Sequence, residues 1–297
     1  MLYERQRALL ALLDALGGQV GKLDYQKLLF LWCQELASET NYDFLPYKFG
    51  AFSFTSHADR TKLIERGYLD NDDKSWVITD TGRLAIAHDA VRGQARTYVA
   101  RATKLRGDAL VALSYRRYPW YATRSEMAAR VLAGDDDTLA RIEGLKPKPG
   151  APGVVTLGYE GRSFEAYLTL LLKSGVTILC DVRRNPISRR YGFSKSALAR
   201  GCENIGIGYE HLPELGIASS ERQGLDTQAD YDALFETYER TSLPRQGVAL
   251  ARISALVQEG HRVALTCFEE LPEQCHRHCV AEALERAHGA TYAPLHL

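Results

Sequence analysis

The sequence predicts a protein in two parts, a helical N-terminal region and a C-terminal α/β domain built on a mainly parallel sheet. Three observations predict it. The stretch "GLKPKPGAPG" (144–153) holds three prolines and three glycines, which cannot sustain helix or central strand, so it reads as a boundary. After it, short apolar β-rich runs alternate with segments of helical spacing. Before it, apolar residues recur at helical spacing with one strand–turn–strand interruption. The expected division is 1–145, a linker at 146–153, and 154–297.

In the N-terminal part, residues 3–15 and 24–38 predict two helices, the second capped by Asp24. "SHADRTKLIERGYLDNDDKSWVITDTGRLAI" then reads as a helix, Gly67, a strand, a polar turn, a strand, and a helix capped at Asp80. That order is winged-helix-like, a pattern used for DNA contact and equally for dimerisation or protein docking.

In the C-terminal part, "VVTLGY" (154–159), "VTILCDVR" (176–183), "RVALTCF" (262–268) and the closing "ATYAPLHL" predict strands. Helices are expected over 163–175, 195–203, 229–241, 247–259 and 275–288. This implies a three-layer, Rossmann-like fold. Ligands of such folds bind beyond the carboxyl ends of the strands, so the loops after Leu157, Cys180 and Thr266 should converge on a site.

The chain of 297 residues is 45% hydrophobic and 25% charged, the profile of an ordinary globular protein, and no run is long enough to span a bilayer. "MLYERQRALLALLDALGG" reads as an amphipathic helix, not a signal peptide. Six scattered cysteines suit reduced thiols in a cytoplasm. Net charge is zero, but residues 83–130 carry ten Lys or Arg against Asp89, Asp108 and Glu126, a surplus that suits a polyanion or simply a solvated helix face. Within it, "SYRRYPWYATR" interleaves Arg116, Arg117 and Arg124 with aromatics including Trp120, a pattern for nucleic-acid contact or for buried core rings.

Two stretches carry chemistry. In "LCDVRRNPISRRYGFSK", Asp181 stands at a strand end, ahead of Arg183, Arg184, Ser188, Arg189 and Arg190 on a loop suited to phosphate or carboxylate. In "TCFEELPEQCHRHC", Cys267 closes a strand, Glu269 follows, and Cys275, His276 and Arg277 open a helix whose N-terminus favours an anion or thiolate. The catalytic expectation is Asp181, Glu269, His276 and Cys267. Zinc on Cys267, Cys275, His276, His278 and Cys279 is weighed against this. Structural zinc usually takes two close pairs, only Cys275 and Cys279 form one, and Arg277 would repel a cation, so no metal or other cofactor is expected.

The segments "TLGYEGRSFEAYLTLLLKSGVTILCDVRRNPISRRYGFSKSAL", "IGIGYEHLPELG" and "VALTCFEELPEQCHRHCVAEAL" resemble, in order, the landmarks of the family called domain of unknown function 488. The resemblance spans about 154–297 and places the family's recurrent positions on Asp181, Arg183, Pro186, Ser188, Phe193, Tyr209, Leu215, Gly216, Cys267, Glu269, Cys275, His276 and Arg277. Tyr159 stands in its opening motif. His278 and Cys279 fall outside the pattern, and Ile217 stands where a second glycine is common. The resemblance implies an α/β sandwich with the polar loops together, and supplies no reaction. "LDYQKLLFLW", "YDFLPYKFGAFSF" and "LIERGYL" look like the Panacea-type antitoxin domain, which implies a bacterial toxin–antitoxin or defence setting.

Two functions stay open. One is an enzyme hydrolysing or transferring groups on nucleic acid or a nucleotide, with Tyr159, Arg183, Arg184, Ser188, Arg189, Arg190, Tyr209, Cys275 and Arg277 binding the substrate. The other is a DNA-binding regulator or antitoxin-like protein that senses a nucleotide. Nucleic acid is the expected partner, a homodimer or operon-encoded protein the further one, and no membrane is expected.

Overall fold

The computed structural model describes residues 1–36 and 42–297. Residues 37 and 38, the end of the predicted second helix, lie outside the described residues. The chain divides into two compact units, Met1–Lys146 and Pro147–Leu297. No helix of the described residues is long and apolar enough to cross a membrane.

The N-terminal unit runs α1 (Glu4–Ala15), β1 (Gln19–Gly21), α2 (Lys22–Glu35), β2 (Leu45–Tyr47), β3 (Gly50–Phe52), α3 (Phe54–Glu65), β4 (Ser75–Val77), α4 (Asp80–Ala85), α5 (Ala90–Arg101), α6 (Gly107–Arg117), α7 (Ala128–Val131) and α8 (Asp136–Gly144). The apolar stripes of α1 and α2, Leu9 to Leu13 and Leu28 to Trp32, meet Tyr25, Trp76 and Tyr98 in one core. The expected two-stranded ribbon between Gly67 and Asp80 is reduced to a single bridge, Leu69 to Ile78. Its second strand, β4, forms its ladder antiparallel to β1 instead. Two caps differ from the sequence expectation. Asp24 lies inside α2 and accepts from the Gly107 N–H, while Thr79, not Asp80, caps α4 by accepting from the Gly82 N–H.

The C-terminal unit alternates as the sequence pattern predicts: β5 (Gly153–Gly158), α9 (Phe164–Lys173), β6 (Ile178–Asp181), α10 (Lys195–Asn204), β7 (Gly208–His211), α11 (Gln228–Thr241), α12 (Gly247–Gln258), β8 (Arg262–Cys267), α13 (Arg277–His288) and β9 (Leu295–His296). The five strands form one sheet in the order β7-β6-β8-β5-β9, with every pairing parallel. Side chains alternate across it. Val154, Ile178, Cys180, Val263 and Leu265 pack with Phe235, Tyr238, Ile253 and Leu284 from α11, α12 and α13. Thr266 points the other way, where its hydroxyl accepts from Tyr167 Oη on α9 at 2.7 Å. Helices therefore cover both faces.

β7 is absent from the sequence reading because "GYEH" is a half-exposed edge strand without apolar alternation. The predicted last strand shrinks to two residues, since a turn of 3₁₀ helix takes Ala290–Tyr292. What matters for the site is register. Asp181 of β6 pairs with Thr266 of β8, and Gly158 of β5 pairs with Cys267, so the three strand ends finish side by side.

Candidate functional site

Asp181 is fully buried and its carboxylate is saturated. It accepts from Arg183 Nε at 2.7 Å and Nη2 at 2.5 Å, from the Arg183 backbone N–H at 3.2 Å, and from Tyr209 Oη at 2.8 Å. Burial works to lower the Arg183 guanidinium, but Asp181 outweighs it and raises it overall. Arg183 Nη1 also donates to Tyr159 Oη and to the Phe193 carbonyl, both at 2.9 Å, and the Tyr159 ring stacks on Phe193 with centroids 4.3 Å apart. Asp181 and Tyr209 are thus spent on orienting Arg183, while Tyr159, which accepts from it, also lines the cleft above the strand ends. No lone pair of Asp181 is left over for a general base, which assigns it a positioning role instead of the expected catalytic one.

Beside this hub lie Cys267, Glu269, Cys275 and His276. The turn Pro272–Gln274 folds the chain back, so that Cys275 and His276, which caps α13, return to the end of β8. Cys267 Sγ donates to Glu269 Oε2 at 3.2 Å and lies 3.8 Å from His276 Nδ1. His276 Nε2 donates to the Val182 carbonyl at 3.0 Å, which leaves Nδ1 facing the thiols. The ligand atoms of Cys267, Cys275 and His276 all lie within 4.8 Å of one another. Burial pushes the Cys275 thiol well up, and Cys267 beside it adds to the rise. Burial also works to lower His276, but its bond with Cys275 outweighs this and raises it. For Glu269, burial acts upward, and the Arg222 guanidinium with the neighbouring thiols overrides it and holds the carboxyl below the usual range.

Arg277 has a different place from the one expected of an anion anchor. It is fully buried, and its two terminal nitrogens donate to the Glu269 and Glu270 carbonyls at 2.5 and 2.7 Å. It holds the 269–270 turn against α13. Cys279 also leaves the group: it is the neighbour of His278, 3.4 Å from Nε2.

Above the strand ends opens a cleft of about 380 Å³, walled by Arg183, Arg184, Arg189, Arg190 and Arg222, with Cys267 and Phe268 among the other lining residues. Arg189 has no hydrogen bond or ion pair among the described residues, while Arg190 and Arg184 reach only backbone carbonyls, of Arg162 and Pro213. Ser188 shapes the loop by accepting from the Arg190 N–H at 3.1 Å. Sequence reasoning missed Arg222, which pairs with Glu269 from the polar stretch 218–227, and His211, whose Nε2 donates to the Arg183 carbonyl at 2.9 Å. Nothing in the local sequence around Arg222 marks it. The polar end of "GYEHL" was a usable signal for His211.

In the N-terminal unit, four of the nine arginines of 83–130 are met by acids distant in sequence. Arg116 pairs with Asp135 and Arg117 with Glu35, at 2.6 and 2.7 Å, and Arg83 and Arg92 share Asp14. Counting charge along the chain overstates the surplus for that reason. Tyr115 is buried, and Tyr118 and Tyr121 pack edge-on against Phe30, so these rings are core. Trp120 is half-buried, and burial lowers the Arg124 guanidinium.

The comparison with known families falls on the unit that carries the cleft. Residues 163–284 match the family described as Domain of unknown function DUF488. The match lies wholly within the C-terminal unit. The matched segment contains the 183–190 loop, Arg222 and the whole Cys267–His276 cluster, and it excludes the N-terminal unit. No curated protein matches the chain.

Proposed function

We propose that the C-terminal unit binds a phosphate-bearing ligand, a nucleotide or a nucleic-acid strand, in the arginine-walled cleft and acts on it by hydrolysis or group transfer. The observation that carries this reading is the convergence of five arginines on one cleft whose wall includes Cys267, next to Glu269 and His276. A volume of about 380 Å³ lies in the range of small-ligand sites. Guanidiniums grip phosphate oxygens bidentately, and the exposed Arg189, with no hydrogen bond or ion pair among the described residues, is free to do so from the cleft wall. Glu269, kept ionised by Arg222 on the cleft wall and accepting from Cys267 at its other oxygen, is the candidate proton acceptor or orienting carboxylate. The N-terminal unit supplies nucleic-acid or partner binding in this reading.

The saturation of Asp181 supports a second reading, a regulator whose arginine cleft senses a nucleotide without turning it over. Incubating the full chain with DNA, RNA and free nucleotides, and following release of base, nucleoside or phosphate, separates the two. The enzyme reading expects turnover that is lost in Glu269→Gln. Binding without turnover across the panel selects the regulator, and the absence of both overturns the phosphate cleft itself.

A further inference from the structure

We infer that Cys267, Cys275 and His276 form a binding site for a single thiolate-preferring divalent transition-metal ion, with zinc the best match, at the wall of the arginine cleft. This reverses the sequence expectation of a metal-free loop. That expectation looked for two close cysteine pairs and counted Cys275 with Cys279. The fold instead brings a strand end, Cys267, to a helix start, Cys275 and His276, and turns Cys279 away.

Four features of the cluster suit a metal. The spacing is right: tetrahedral zinc, with bonds of about 2.3 Å to sulfur and 2.0–2.1 Å to nitrogen, sets neighbouring ligand atoms about 3.5–3.8 Å apart. Cys267 Sγ and His276 Nδ1 are separated by 3.8 Å, and all three ligand atoms fit within 4.8 Å. The imidazole is pre-set, because Nε2 donates to the Val182 carbonyl and so presents the Nδ1 lone pair to the thiols, the outer bond that metal-ligating histidines usually make. The donor set of two sulfurs and one imidazole nitrogen favours zinc over magnesium or calcium, which take oxygen. Finally, the Arg277 guanidinium, expected to face a metal in the loop, donates to the Glu269 and Glu270 carbonyls and to no ligand atom of the cluster.

The charge balance closes. Binding of a divalent ion displaces the two thiol protons, one of which already points at Glu269 Oε2, and the two thiolates offset the two positive charges. Three protein ligands leave one tetrahedral position, and Cys267 is at the same time a wall of the cleft. An ion held there would put a Lewis acid at the ligand-binding edge, the arrangement of catalytic rather than structural zinc.

The inference does not rest on the nucleotide reading, because its test contains no nucleotide. The full chain is stripped with a chelator under reducing conditions and titrated with Zn²⁺ against a competing dye, and separately with Co²⁺ as a spectroscopic substitute. The expected result is one ion per chain, with thiolate-to-cobalt charge transfer and the intense visible bands of a tetrahedral centre. Cys267→Ser, Cys275→Ser and His276→Gln should each weaken binding by more than about 100-fold, the upper end for loss of an outer partner alone. Cys279→Ser should bind as the wild type does. Where a ligand variant fails to fold, the wild-type cobalt spectrum decides: no charge-transfer band overturns the site. Binding unchanged in Cys275→Ser, or lost in Cys279→Ser, overturns it as well, as does recovery of Cys267 and Cys275 as a disulfide that no reductant opens to metal.

Discussion

Asp181→Asn tests whether the Asp181–Arg183 pair is the keystone of the site. The substitution keeps the shape, removes the charge, and turns one acceptor oxygen into a donor that faces either Arg183 or Tyr209. Arg183 is only 5% exposed, so its charge is left without a counter-ion in a place water barely reaches. Breaking one partner of such a buried pair costs about 3–5 kcal/mol. For a unit of this size, at roughly 2–4 °C per kcal/mol, the transition of the C-terminal unit should fall by roughly 10 °C. Arg183→Met should cost a similar amount, because it leaves the buried Asp181 carboxylate without a counter-charge, held only by Tyr209 and the residue-183 backbone N–H. The double variant Asp181→Asn, Arg183→Met should recover a large part of the sum, since no unpaired buried charge remains. Scanning calorimetry of the full chain reads all three. Costs under about 1 kcal/mol for either single variant, or a double that equals the sum of the singles, would refute the reasoning.

Other expectations follow from single residues. Burial pushes the Lys27 ammonium down to about 7 from an ordinary value of 10.5, and among the described residues it donates to the Ala51 carbonyl at 3.2 Å. The native state then binds fewer protons than the unfolded chain between those values, so stability should rise with pH from about 7 to 10.5 and be flat below. Lys27→Met should remove that slope and stabilise the N-terminal unit by roughly 5 kcal/mol below pH 7, as urea titrations at several pH values will show. A Cβ at Gly158 would overlap the Glu269 carbonyl, so Gly158→Ala should shift the 269–270 turn. Pyrophosphate affinity should then drop about tenfold or more while circular dichroism stays native, a loss of about 1.4 kcal/mol in binding. For nucleic acid, charge reversal at Arg189 and Arg190 should weaken binding strongly and reduce the slope of log affinity against log salt by about 2. Reversal at Arg116 and Arg117, already paired with Asp135 and Glu35, should do much less.

The strand–helix alternation of the C-terminal half was legible because β5, β6 and β8 are buried on both faces and read as continuous apolar runs. The same pattern placed Asp181 and Cys267 at one edge, and the polar loops followed from it. Side-chain roles were less legible. Whether an arginine faces a ligand or a carbonyl depends on chain reversals such as Pro272–Gln274, which is why Arg277 was misassigned and Arg222 not seen. The basic surplus of 83–130 is overstated by the sequence for a related reason: Asp14, Glu35 and Asp135 reach it only through the fold. Cys279 had the helical spacing of a partner to Cys275, and the His276 start of α13 turned it elsewhere.

The most direct measurement is calorimetric titration of the full chain with pyrophosphate and with a nucleoside triphosphate, repeated for Arg189→Ala with Arg190→Ala and for Arg222→Ala. If the arginine-walled cleft is where this chain takes its ligand, the wild type binds one equivalent, affinity falls as salt rises, and both variants lose more than about tenfold, or 1.4 kcal/mol. A wild type that binds neither ligand, or variants that bind both as well as the wild type, would contradict the account.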